Sequence, residues 1–171
     1  MDAELDELLA FADRGMAVAW HATRRPDTPA LITPTETVTY AELNGRANRL
    51  ARALRRRGLQ RGDAVALVCS NRAEFVEVLL ATQRAGLRLT TVNWHLTADE
   101  AAYIVDDCEA RALVAEARFV DVVRGAVAAA PRATVRLAVG GAIEGFEDYD
   151  AAASAEPATD LPDPVLGSQM L

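Results

Sequence analysis

The sequence predicts an α/β fold, a mostly parallel, doubly wound sheet with flanking helices. Four apolar runs, Ala64–Cys69, Arg88–Val92, Arg111–Ala115 and Thr134–Val139, recur at intervals of about 23 residues, the size of a strand plus a crossover helix. The segments between them carry apolar residues at helical spacing. Near-continuous apolar strands alternating with amphipathic helices belong to parallel sheets covered on both faces.

Taken in order, residues 1–24 form a helical lead-in, with a helix over Met16 to Arg24 that packs Trp20 inward. Residues 25–153 form the α/β unit. It opens on two short strands, Pro29–Thr33 and Thr37–Thr39, parted by Pro34-Thr35-Glu36 as in a hairpin. Three capping boxes follow: Thr39–Glu42, Asn71–Glu74 and Thr97–Glu100. In each, a short polar side chain accepts from the N3 amide and the glutamate reaches back. Gly58 and Gly86 suit the left-handed position after a helix. Phe75, Val76, Leu79 and Leu80 share one helix face. Ala101, Ile104, Val105 and Cys108 share another, and Phe119, Val122, Val123, Ala126 and Val127 a third. Residues 154–171 carry Pro157, Pro162 and Pro164 and read as a linker or surface loop. Their apolar end, "VLGSQML", reads as the start of a new element, so a continuing polypeptide is expected.

Seven arginines crowd the stretch Thr39–Asp63. On a helical wheel Leu43, Ala47, Leu50, Ala51 and Leu54 fall within about 100°, a core-facing stripe. Arg49, Arg52, Arg55 and Arg56 spread over the opposite, solvated side, with Arg46 and Arg57 flanking. Arg55 to Arg57 also complement the helix dipole. The formal net charge of the 171 residues is −7, which argues against nucleic-acid binding. All 18 basic residues are arginine, so no lysine chemistry resides here. Cys69 and Cys108 lack metal-ligand spacing and read as buried thiols of a reducing cytoplasm. The acidic N-terminus is no signal peptide, and no apolar run is long enough to span a membrane.

Site constellations are sparse. There is no Walker phosphate loop and no G-x-G-x-x-G. Gly140-Gly141 after a strand reads as a plain turn. Asp106 and Asp107 read as a solvated helix end. Two distant histidines support neither a metal site nor a triad. The loop Asn93–Thr97, "NWHLT", follows the C-terminal end of a strand, where α/β proteins bind ligands. Its Trp94 and His95 either touch a ligand or pack against a neighbouring helix.

Several segments together, "RRPDTPALI", "TVTYAELNGRANRLARALRRRGLQRGDAVALVCSNRAEFVEVLLATQRAG" and "TVNWHLTADEAAYIVDDCEARALV", resemble the N-terminal part of AMP-forming acyl-CoA synthetases. The resemblance runs from Arg24 to the end of the chain, and the "NWHLT" loop leans toward fatty-acid–CoA ligases. It implies the first part of a larger adenylate-forming enzyme fold and a two-step reaction. A carboxylate attacks ATP, with Mg2+, to give an acyl-adenylate; coenzyme A then displaces AMP. Aryl- or bile-acid–CoA ligases and carrier-protein-loading adenylation domains share these features, and a non-catalytic interaction module is the reading from another class. The family's Tyr-Thr-Ser-Gly-Thr-Thr-Gly-like phosphate loop does not occur in these 171 residues. No catalytic residue is therefore expected here, nor tight binding of ATP, Mg2+ or coenzyme A. The implied partners are a carboxylic acid, the rest of its own polypeptide and a possible second copy. Family members often have Asn-Pro-Arg-Leu where this chain has Asn93, Trp94, His95 and Leu96. In some relatives that arginine lies near the coenzyme A phosphates, so the resemblance marks Asn93 and His95 as candidate coenzyme A contacts.

Overall fold

A computed structural model describes residues 3–170. Six strands form one parallel sheet: β3 (Ala64–Val68), β4 (Arg88–Thr91), β5 (Ala110–Glu116), β6 (Val135–Val139), β7 (Glu147–Asp148) and β8 (Ser168–Met170). Their order is β7-β6-β5-β3-β4-β8, and every neighbouring pair is parallel. A separate antiparallel hairpin joins β1 (Pro29–Ile32) to β2 (Thr37–Thr39). The helices are α1 (Ala3–Ala12), α2 (Ala17–Arg24), α3 (Tyr40–Arg56), α4 (Ala73–Arg84), α5 (Ala98–Asp107), α6 (Val120–Ala129) and α7 (Tyr149–Ser154). A 3-10 turn, Ala117–Phe119, leads into α6.

The strand period of two assigns side chains to two cores. Val65, Leu67, Ala112, Val114 and Leu137 point to the layer of α3, α4 and α7. Ala66, Val68, Leu113, Ala115 and Ala138 point to α5 and α6. This is the doubly wound α/β fold that the sequence predicts. A third cluster, with Val38, Leu43, Ala47 and Leu80, ties the hairpin to α3 and α4.

Two of the three expected capping boxes form. Thr39 accepts from the Glu42 amide while Glu42 reaches back, and Thr97 and Glu100 do the same. The third does not: α4 is preceded by Arg72, which makes no side-chain cap. Glu74 is bound instead by the Arg72 guanidinium, at 2.7 and 2.6 Å, and Asn71 is left exposed. The single apolar face expected for α4 is also too narrow. Every residue of α4 is buried or half-buried, because the helix packs on the sheet core and also against α3 and the hairpin. Val78 and Ala81 face the sheet core, whereas Leu80 and Val76 join the hairpin cluster.

Arginines of α3 keep partners as well as solvent, even where, as at Arg56, the side chain is 73% exposed. Arg52 donates to the carbonyls of Pro157, Thr159 and Asp160. Arg55 binds Asp163 at 2.8 Å, Arg56 binds Glu156 at 3.1 Å and Arg57 binds Glu147 at 2.6 Å. Arg52, Arg55 and Arg56 hold the segment that the sequence reads as a linker, and Arg57 holds β7. Over its described residues that segment is a strap along α3, and it ends by adding β8 to the sheet beside β4. Beneath it, Asn44 and Asn48 donate to one oxygen of Asp160, at 2.8 and 2.9 Å. Fully buried Arg84 donates to the side-chain oxygens of both asparagines, and its burial lowers its pKa to about 10.

Candidate functional site

Because β3, β4, β5 and β6 run parallel, their following loops gather at one edge of the sheet, where open α/β sheets take ligands. Glu116 ends β5 there and is buried. Its Oε2 accepts from the Ser70 amide at 2.9 Å and the Ser70 hydroxyl at 2.7 Å, tying the loop after β3 to β5. Its Oε1 lies 3.6 Å from Arg72 Nη1 and 3.7 Å from Arg118 Nε. Burial pushes the Glu116 carboxyl up, but the Ser70 bonds and the two guanidinium groups outweigh it, and the net shift is downward. It is an anion at neutral pH. Cys69 lies beside it, and burial together with the Glu116 charge raises that thiol to about 12, so it is no nucleophile.

Arg72 also explains the paired glycines after β6. A Cβ on Gly140 would lie 2.5 Å from Arg72 Nη1, and Gly140 has φ of 69°. The pair is a turn against which a guanidinium packs, as expected of a plain turn. A cavity of about 270 Å³ opens beside this cluster, lined among others by Thr33, Thr35, Ser70, Arg72 and Glu116.

The loop after β4 meets the turn after β5. Trp94 stacks on Phe119, with ring centroids 4.8 Å apart and planes 13° from parallel. The His95 ring lies 3.4 Å from that of Trp94, centroid to centroid. Trp94 thus packs against the turn that opens α6, whereas His95 is exposed. Asn93 shapes the loop: its side-chain oxygen accepts from the His95 amide at 3.0 Å, and its carbonyl from the Leu96 amide at 3.1 Å. Ser70, Arg72, Glu116, Arg118 and Phe119 all lie at this edge and escape a motif search. The available signal was their position at or within a few residues of the C-terminal ends of strands β3 and β5.

A second polar cluster lies between α3, α4 and α7. Buried Tyr149 donates to Glu77 Oε2 at 2.8 Å, and Arg46 bridges Glu77 and Glu36 at 3.2 and 3.1 Å. It docks α7 on the sheet layer. Among the described residues no group of three or more His, Cys, Asp or Glu side chains is placed to hold a metal. No described helix is long and apolar enough to cross a membrane.

The family model described as AMP-binding enzyme matches residues 18–166. A fatty acid–acyl-carrier-protein ligase of Streptomyces coeruleorubidus is 38% identical over 119 residues, which are 70% of this chain and 23% of that protein. A medium/long-chain-fatty-acid–CoA/3-oxocholest-4-en-26-oate–CoA ligase of Mycobacterium tuberculosis is 36% identical over 143 residues, 80% of this chain and 26% of that protein. The chain therefore spans about a quarter of the length of these curated relatives. Among solved structures, an anthranilate CoA ligase in complex with anthranoyl-AMP superposes with a TM-score of 0.81 at 24% identity, over 86% of this chain and 29% of that one. A Mycobacterium tuberculosis fatty acyl CoA synthetase does so with a TM-score of 0.78 at 24% identity, over 88% and 30%. At these identities the two structures speak for the fold.

Proposed function

The chain belongs to the AMP-binding enzyme family, and from that premise we propose that it is the N-terminal α/β portion of an ATP-dependent fatty-acid–CoA ligase. In the whole protein the fatty-acid carboxylate displaces pyrophosphate from ATP, and the coenzyme A thiol then displaces AMP. The observation that carries the choice of acid is the match to the fatty-acid–CoA ligase of Mycobacterium tuberculosis, 36% identical across 80% of this chain. No residue here is assigned to ATP or Mg2+. The phosphate loop is not in this sequence, and the described residues offer no metal-ligand cluster.

What these residues supply is the sheet edge. Asn93 shapes the loop after β4 and His95 projects from it, a placement suited to donating toward a phosphate of coenzyme A. The protein acts in the cytoplasm, in contact with the remainder of its own polypeptide, and a homodimer is compatible with the family. The likeness to a fatty acid–acyl-carrier-protein ligase supports a second reading, in which the thiol acceptor is a carrier protein.

Carboxylate-dependent exchange between pyrophosphate and ATP tests the proposal. The 171 residues alone are expected to be silent; a polypeptide that continues through the phosphate loop should exchange with medium- or long-chain fatty acids. A clear signal from the 171 residues would refute the division of labour. A full polypeptide active only on aryl acids would refute the substrate.

A further inference from the structure

Resting on the reading that His95 faces coenzyme A, we propose that Arg118 is a second anion-binding residue of that site, seated on the Phe119–Trp94 stack to hold a phosphate or pyrophosphate group beside His95. Nothing in the family pattern or the loop sequence pointed to it; its place in the fold does.

Arg118 lies in the turn after β5, while His95 lies in the loop after β4, and these two strands flank β3. The Arg118 guanidinium stands 4.7 Å from the Phe119 ring centroid and 5.8 Å from that of Trp94. Trp94 in turn touches the His95 ring. Arginine, phenylalanine, tryptophan and histidine thus form one continuous ladder across the sheet edge. Cation–π contacts position a guanidinium while leaving its N–H groups unspent.

Those donors have no partner at hydrogen-bonding distance among the described residues. The nearest acid is Glu116, at 3.7 Å, and it is already committed. One of its oxygens takes two bonds from Ser70, and the other is shared with Arg72. Arg72 has Glu74 as its own counterion, whereas the one acid near Arg118 among the described residues is this shared Glu116. The Arg118 side chain is 63% exposed, so its planar fork is open to a ligand's oxygens, a geometry that suits phosphate. Helix α6 begins at the next turn, and Phe119 at its N-terminus supplies no side-chain acceptor. The positive end of the helix therefore adds to the same field.

The test uses 15N-labelled chain and NMR titration with inorganic pyrophosphate and, separately, coenzyme A, at fixed ionic strength. Both ligands are expected to shift the amides of 93–97 and 117–120 and the Trp94 indole, and to leave the Trp20 indole in place. Arg118→Ala should weaken both ligands about tenfold, the loss of one charge-assisted contact. Arg118→Lys should recover part of that, keeping the charge without the fork. Unchanged dispersion of the remaining amides shows that the variants stay folded. If Arg118→Ala binds as tightly as the parent while His95→Ala does not, Arg118 is excluded and the coenzyme A reading of His95 stands. Absence of any shift in the parent with either ligand overturns both. A response to coenzyme A but not to pyrophosphate overturns the assignment of a phosphate.

Discussion

At the scale of single residues, Glu77 shows how a buried acid can serve as a joint. Its carboxylate takes the Tyr149 hydroxyl and the Arg46 guanidinium, linking α4 to α7 and α3. Burial raises its pKa above the usual value of 4.5, and the bonds from Tyr149 and Arg46 only partly offset that. The raised value sets the sign of a pH effect. The folded chain holds this proton more tightly than the unfolded chain. Its contribution is therefore fully present below pH 4.5 and is lost as pH rises toward the folded pKa. Glu77→Gln lacks that loss, so its melting temperature should gain on the parent's as pH rises above 4.5. Thermal unfolding of both proteins across pH 4 to 8 checks this, and a difference constant with pH would contradict it. The buried state of Cys69 and Cys108 was legible from their apolar neighbours. The partners of Glu77 were not, because Tyr149 is 72 residues away and no local pattern encodes so distant a bond.

At the scale of elements, helix ends separate what local sequence decides from what it does not. The boxes at Thr39 and Thr97 form because cap and glutamate lie within one turn and need no other partner. Thr39→Ala and Thr97→Ala should each cost about 1 kcal/mol in urea unfolding. The same pattern at Asn71 is defeated by Arg72, whose guanidinium takes Glu74 and reaches Glu116 and Gly140 on other elements. Asn71→Ala should be close to neutral, and a loss equal to the Thr97 variant's would restore Asn71 as the cap. The stripe of α3 is where the wheel puts it, with Leu43, Ala47, Leu50, Ala51 and Leu54 buried. The opposite face is solvated at Arg56 but also carries partners that no local pattern encodes. Here the partners are carbonyls and acids of residues 147–163, about a hundred positions downstream.

At the scale of the whole molecule, two layers of helices close over a parallel sheet, and small residues set how near they come. Helices α5 and α6 pack at Gly125, where a Cβ would lie 2.5 Å from the Ala98 carbonyl oxygen. Intrinsic helix propensity favours Gly125→Ala by about 1 kcal/mol. The clash should reverse that, for a net destabilisation of about 1–3 kcal/mol in urea unfolding; a more stable variant would mean the helices stand further apart. The sequence by itself determined the fold class, the central strands and the family resemblance, because these rest on period and motif order; it offered three capping boxes alike, of which two form. Only the tertiary structure decided that the C-terminal segment is a bound strap ending in a strand. β7 and β8 span two and three residues, too short to show a period, and exist by pairing with longer strands. It also decided that Ser70, Arg72, Glu116 and Arg118 share one edge with Asn93 and His95. Strand order fixes which loops become neighbours, and that order follows from packing across the sheet rather than from any stretch of the chain.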